Sequence, residues 1–553
     1  MTTTAPNPLR WLVAAPLSPT PSARLLDITD ALEQLGFSAN VDVGAALGAA
    51  GPLATTVAFP RLRAFSIPAV IAASPPLAEL AALSERLNAA PSKRPAPAEL
   101  LATVARVAGE GPLHAELAAI FGQAAAPPAP AATPAAAPPS PSSSTDAATG
   151  AALVDDLLEQ AVRVAPAPTR TDRPTAIIDA IVRANQPAPA PRDASASRAA
   201  RDRLDLALAA AARAALADPA VVARESLWRA LKLLHEQCPR GPGPRVSLID
   251  IGAGDLAEVL ARLADEAPMD LPDAVFLAEP VAALEQLPEL AARAADLLVP
   301  LVVSLDPRTL GRADLGGLVE LADAPLQIPE LWTALRDDED SRWLAVAVNP
   351  VALVSEGVGA ARRAVFGSPA LALATLLSAS QRDSGGLASL ARVGVVRAPA
   401  VWEPATGPDA GASIPSERFA SLRSQGRLAS LGLTAIGSPR GGDSLVVAAC
   451  PVVRASEDAG SLPAQILTGR IVRFATWTRD RLTPGASVGE VEALFSQGAG
   501  VVLFPELTPE FASLVARVDA ERTSIELSAH VHPAIAGLHL EIHFALPLKV
   551  DLA

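Results

Sequence analysis

Apolar residues recur at two spacings along the chain, and these divide it into stretches of different kinds. Arg10–Ala15 is a short apolar run that predicts a strand, and Leu25, Ile28, Leu32 and Leu35 recur at helical spacing. Leu53–Phe59 reads as a second strand and Leu77–Leu87 as an amphipathic helix, so residues 1–122 predict a small α+β domain. Residues 123–150 are rich in Pro, Ala and Ser and hold no large apolar side chain. Such a stretch cannot bury enough surface to offset its ordering entropy, and it predicts a semi-extended linker. Two helical pieces follow, Ala151–Val162 and Ala176–Asn185, and a weaker break at Gln186–Ser197 closes the segment 151–197.

Helical spacing then runs from Arg198 to about His235. Val246–Ile251, Ala274–Leu277 and Leu297–Leu305 are apolar runs separated by helical patterns, which predicts α/β layers across 198–430. From Leu433 onward strands are expected to dominate a β-rich part, 431–553, with runs at Ser444–Val453, Val501–Phe504, Ile525–His532 and Leu538–Leu546. The last two read as a hairpin through Pro533–Gly537. The expected fold class is multi-domain, α/β and α+β, with a layered core.

Composition narrows the function classes. With 45 basic against 59 acidic residues the net charge is −14, which argues against a general nucleic-acid or anionic-membrane surface. Two cysteines in no metal-like spacing, Cys238 and Cys450, exclude a disulfide framework and favour a reducing compartment. The N-terminus shows no basic region leading into an apolar one, and no apolar run approaches the ~20 residues of a membrane helix. A cytoplasmic protein without membrane insertion is expected.

Candidate chemistry is sparse. Asp250-Ile-Gly252-Ala-Gly254 closes an apolar run, as in the cofactor turn of S-adenosylmethionine-dependent methyltransferases, where glycines let the backbone approach a ligand. Glu279, ending the next run, stands where such an enzyme would bind ribose. The plainer reading is a structural glycine turn, because no third motif follows. Four of the six histidines, His530, His532, His539 and His543, fall in the last hairpin. Alternation puts them with Glu526 and Glu541 on one face, enough ligand for zinc or simply the polar face of a half-buried sheet. No nucleophile, phosphate-loop or His-Glu-x-x-His pattern occurs, so no catalytic residue and no cofactor is assigned.

Three passages resemble the large subunit of the type VI secretion contractile sheath. Glu225-Ser-Leu-Trp228-Arg229-Ala-Leu is similar to that family's Glu-x-x-Trp-Arg-Gly-Leu helix. Val299-Pro300-Leu-Val-Val-Ser304, Trp332-Thr-Ala-Leu-Arg336 and Glu339-Asp340-Ser341-Arg342 follow its central strand, Trp-x-x-Leu-Arg helix and Glu-Asp-Ser-Arg segment. Gly469-Arg470-Ile-Val-Arg473-Phe474 stands where the family has an Arg-x-x-His/Arg-Tyr helix. Residues 53–87, with Ala64-Phe65-Ser66-Ile67-Pro68 in place of an Asp-Phe-x-Pro segment, resemble the small sheath subunit. The resemblance departs from the family in its missing tyrosines and in Ala64.

The resemblance implies a non-enzymatic structural subunit, with small-like and large-like parts fused, that polymerises with sheath subunits around an inner tube protein on a baseplate. Leu153, Asp155, Leu157, Leu158 and Gln160 resemble the helix that a AAA+ disassembly ATPase grips; the same spacing also suits an ordinary core helix. A non-polymerising adaptor remains the alternative role, and a methyltransferase-like enzyme the other.

Overall fold

The computed structural model describes residues 8–18, 24–33, 36–89, 94–125, 192–238, 243–251, 255–357, 362–456, 460–505 and 507–552. Leu153, Asp155, Leu157, Leu158 and Gln160, almost all of the linker 123–150, and Gly252–Gly254 lie outside them.

A seven-stranded sheet organises the larger part of the chain. Its strands are β1 (Arg10–Ala15), β2 (Leu25–Asp27), β5 (Arg245–Asp250), β6 (Ala274–Val281), β7 (Leu301–Leu305), β8 (Leu344–Val348) and β12 (Leu433–Ala435), in the order β12-β8-β7-β6-β1-β5-β2. All neighbours are parallel except β2, which runs antiparallel to β5 at the edge. Alternation sends Trp11 and Val13 to one face and Leu12 and Ala14 to the other, and both faces are covered. Helices Pro219–Gln237 and Pro369–Ser384 contribute to one layer, and Leu256–Leu263, Leu287–Leu297 and Leu315–Asp323 to the other. The Trp11 indole donates to Ser378 Oγ at 3.0 Å, which ties β1 to the helix above it, and its ring meets Phe276 of the adjacent β6 edge-on.

The first strand corrects the expected boundary at residue 122. A buried strand needs hydrogen-bonding neighbours on both sides, and β1 finds them in β5 and β6, more than two hundred residues on. The chain divides into one unit of Met1–Ala39, Ala58–Ser66 and Leu216–Ala553, and a second of Asn40–Val57 and Ile67–Ala215. Strands β3 (Phe37–Asp42) and β4 (Ala54–Phe59) pair with each other, and the division passes through both.

The second unit is helical. Its helices Pro75–Leu87, Pro97–Ala108, Pro112–Ala125 and Arg192–Leu216 carry surface pairs such as Arg86–Glu99 at 2.7 Å and Arg203–Glu116, while buried Ser84 donates to Asp205. The helix ending at Ala125 extends past the expected linker start, and the break expected at Gln186–Ser197 is helical from Arg192.

Two further expectations change in the first unit. The spacing from Leu25 to Leu35 predicts one helix, but Leu25–Asp27 extends along β5 and only Ile28–Glu33 is helical. The long stretch from Arg198 breaks at Asp218, whose carboxylate caps the next helix and whose neighbour Pro219 cannot continue the previous one. Strands β9 (Val351–Glu356) and β10 (Arg363–Gly367) form a hairpin, and the short β11 (Val396–Arg397) pairs with β13 (Ser444–Leu445). The run Ser444–Val453 is otherwise held by isolated bridges.

At the C-terminal end, β14 (Ala512–Val518), β15 (Ser524–Val531) and β16 (Leu540–Pro547) form an antiparallel sheet in that order. The expected hairpin is β15–β16, joined by a short turn of helix at Pro533–Ala536 and Gly537. Helices Leu462–Arg479 and Val488–Val502 accompany this sheet, and the latter absorbs the start of the Val501–Phe504 run. A short apolar run has no period of its own and fits a buried helix end as well as a strand.

Candidate functional site

The three large-sheath-like passages become three packing knots of the first unit. Asp218 caps the helix that carries Glu225, accepting from the backbone of Ala220 and Val221. Glu225 is fully buried, with Arg229 one turn on at 2.8 Å and Arg363 of β10 on its other oxygen. Trp228, on the same helix, meets Phe65 edge-on with ring centroids 5.6 Å apart and Phe37 at 6.4 Å; Phe65 in turn stacks on Phe59 at 4.5 Å.

In the second knot the buried Trp332 indole donates to the Leu431 carbonyl at 3.1 Å, and Arg336 to the carbonyls of Ser430 and Val453. Glu339, Asp340, Ser341 and Arg342 lie in a 3-10 turn that feeds β8. Asp338 accepts from the Asp340 backbone and the Ser341 hydroxyl, while Glu339 binds Arg342 and Arg454 at 2.8 and 2.6 Å.

The third knot is the most buried. Asp273, at the start of β6, takes Arg470 on one oxygen at 2.5 Å and Arg473 on the other at 2.8 Å, and also accepts from the Arg10 backbone. All three side chains are at most 6% exposed. Burial lowers the Arg473 pKa to about 10, against the opposing pull of Asp273, and the neighbouring cations Arg470 and Arg10 lower it further. Arg473 also donates to the carbonyl of Leu298, a left-handed helix cap, and Gly469 approaches the same carbonyl so closely that a Cβ would lie 2.1 Å from it. The space beside Asp273, Arg470 and Arg473 is too small to admit even a water.

Of the rival chemical signals, Asp250 and the hairpin histidines have partners within the fold, while Gly252–Gly254 lie outside the described residues. Asp250 ends β5, but its carboxylate accepts from the backbones of Leu17 and Ser18, at 2.7 and 3.1 Å, and from the Ser18 hydroxyl, so it holds the turn after β1. The hairpin histidines divide among separate partners. His539 pairs with Glu541 at 3.1 Å, His530 meets His539 ring to ring at 4.9 Å, His543 bonds Ser528, and His532 caps Ala534. Among the described residues no three His, Cys, Asp or Glu side chains gather as a metal site would require. Burial raises the Cys450 thiol to about 12 and the Cys238 thiol to about 11, which makes both poor nucleophiles.

One feature escaped the sequence reading: a cleft of about 650 Å³ at the carboxyl ends of the parallel strands. Pro16 follows β1, Pro280 lies at the end of β6, Pro307 follows β7 and Pro350 follows β8, and all four line it. A proline at or just after the end of each apolar run was the available signal, because proline lacks the N–H that a ladder uses and is found toward strand ends. Glu279 lines this cleft, and Arg224 reaches it from the helix above while donating to the carbonyls of Pro16 and Leu17.

No protein-family model and no curated protein matches the sequence. Among solved structures, the chain is similar to the sheath tail protein of Desulfitobacterium hafniense, with TM-score 0.34 and 9% identity over 54% of this chain and 60% of that one. It is similar also to a chain of the anti-feeding prophage baseplate, with TM-score 0.32 and 13% identity over 59% of this chain and 77% of that one. A third likeness is to the sheath complex of an extracellular contractile injection system in its contracted state, with TM-score 0.33 and 11% identity over 59% and 77% of the two chains.

Proposed function

We propose that this chain is a structural subunit of a contractile secretion sheath of the type VI kind, in which small-sheath-like and large-sheath-like segments are fused. The observation that carries the reading is the packing of Phe65, from the small-like segment, against Trp228, from the large-like one. Two stretches that resemble separate subunits share one aromatic core, which is the arrangement a fusion of obligate partners would need. Fusion fixes their stoichiometry and raises their effective concentration for each other. The same resemblance makes an inner tube protein, a baseplate and a AAA+ disassembly ATPase the expected partners, in a reducing cytoplasm, with contraction driving effector delivery and no catalysis by the chain itself.

Assembly would use the C-terminal sheet. In β16 and the residues after it, Leu540, Ile542, Phe544, Leu546, Leu548, Val550 and Leu552 alternate with exposed positions, yet none of the seven is fully buried. A half-covered apolar stripe on an outer strand invites strand addition from a neighbour, and a head-to-tail contact of that kind grows as a helix. Rigid-body rotation of subunits about such strands would then shorten the sheath.

Sedimentation velocity of the full chain over a concentration series tests this reading. Species larger than a monomer are expected, and Val550→Lys with Leu552→Lys should abolish them while circular dichroism stays unchanged. A wild-type monomer throughout, with or without a tube protein, would instead favour a non-polymerising adaptor at the baseplate.

A further inference from the structure

The cleft at the ends of β1, β6, β7 and β8 is too large for a packing defect. Interiors hold few voids larger than a water, whereas ligand pockets run to roughly 300–1,000 Å³. In open parallel sheets ligands lie outside the carboxyl ends of the strands, which is where this cleft sits.

Its charges are unequal. Four carboxylates line it, Glu279, Asp306, Asp314 and Glu417, against the guanidinium groups of Arg224 and Arg308. Arg224 is committed to the two carbonyls of the β1 turn and lies over the rings of Phe37 and Trp228. Arg308 only leans on Asp306 at 3.8 Å and points into solvent, and Asp314 is held by Arg418 at 3.2 Å. Glu417 accepts no hydrogen bond and makes no ion pair among the described residues. Solvent reaches it through the cleft, yet protein surrounds it closely enough that burial raises its pKa. Arg418 and, more weakly, Arg308 oppose that shift, and the like charges of Asp306 and Asp314 add to it. An arriving cation would relieve this strain, and an anion would worsen it. The rest of the wall mixes polar groups, Ser226, Ser304, Ser368 and Asn349 among them, with an apolar stretch that includes Leu305, Leu315, Phe366 and Leu371.

We propose that this cleft binds an organic cation, an aliphatic body carrying an ammonium or guanidinium group, with its charge at Glu417 and Asp306 and its body along Phe366 and Leu371. The inference stands whether or not the chain polymerises. The same chemistry is found in a free polyamine and in a lysine or arginine side chain of a polypeptide.

Isothermal titration of the full chain at physiological salt tests it with spermidine, with agmatine, with a neutral diol of matched length and with a capped Gly-Lys-Gly peptide. Saturable one-site binding of a cationic probe is expected, with none of the diol. Glu417→Gln or Asp306→Asn should weaken it about tenfold or more. Ala223→Trp, which fills the cleft from an exposed helix position, should abolish it. Tighter binding of the peptide than of the free amines would identify a polypeptide side chain as the source, and the reverse a small molecule. Absence of binding by every cation would overturn the proposal. So would binding that survives both Glu417→Gln and Ala223→Trp, since that is diffuse attraction to an acidic surface.

Discussion

Phe65 and Trp228 meet edge to face with ring centroids 5.6 Å apart, although 163 positions separate them in the sequence. Both rings are about 1% exposed, and Phe59 and Phe37 complete the cluster. If this contact joins the small-like and large-like segments energetically, truncating either ring should weaken the whole first unit. Phe65→Ala is expected to cost about 3–5 kcal/mol in chemical denaturation. A double-mutant cycle with Trp228→Ala should return a coupling of about 0.5–1.5 kcal/mol. Strictly additive losses would mean the two segments merely adjoin.

Asp273 is the hub of a buried charge cluster, and its removal should be severe. Asp273→Asn takes away the carboxylate charge that buried Arg470 and Arg473 share, which is expected to cost about 3–5 kcal/mol. Urea unfolding followed by circular dichroism measures this. A loss below about 1 kcal/mol would mean that water reaches the guanidinium groups.

Gly469 tests the close approach of helix Leu462–Arg479 to the Leu298 cap. A methyl group there would meet the Leu298 oxygen, so Gly469→Ala should lower stability by about 1–3 kcal/mol as the helix is pushed away. Gly500, on the neighbouring helix with open space around its Cβ position, is the control, and Gly500→Ala should be neutral or slightly stabilising.

Much of the local structure was legible, and the failures have physical causes. Arg10–Ala15 reads as a strand because six residues hold no helical period, but nothing in those residues names β5 and β6 as neighbours. Parallel pairing is long-range, and a domain boundary drawn at the linker misses it. The helix Leu462–Arg479 is buried almost all round, so its apolar residues show little one-sided periodicity, and only the Gly469–Arg473 resemblance marked it as helical. The motif residues Glu225, Trp332 and Ser341 were recognisable one by one, while their partners Arg363, Leu431 and Asp338 were not. The cleft was hidden for the same reason, since its walls come from segments scattered between Pro16 and Glu417.

Glu417 makes a prediction in pH. Its folded pKa is raised, so between the unfolded and folded values the folded chain holds a proton that the unfolded chain has released. Stability from this group is present below the unfolded value and is lost as pH rises through the folded one. Glu417→Gln should therefore be the more stable protein at pH 7, with the difference vanishing below about pH 4. Thermal melts across that range decide it, and a wild type more stable than the variant at pH 7 would show that Glu417 is paired.

The sheath reading rests finally on whether the chain forms a regular polymer. Negative-stain electron microscopy of the purified chain, alone and mixed with its presumed tube protein, asks this directly. Tubes or stacked rings of regular subunits are the predicted result. Dispersed single particles under both conditions would contradict the polymer and leave a sheath-like adaptor in its place.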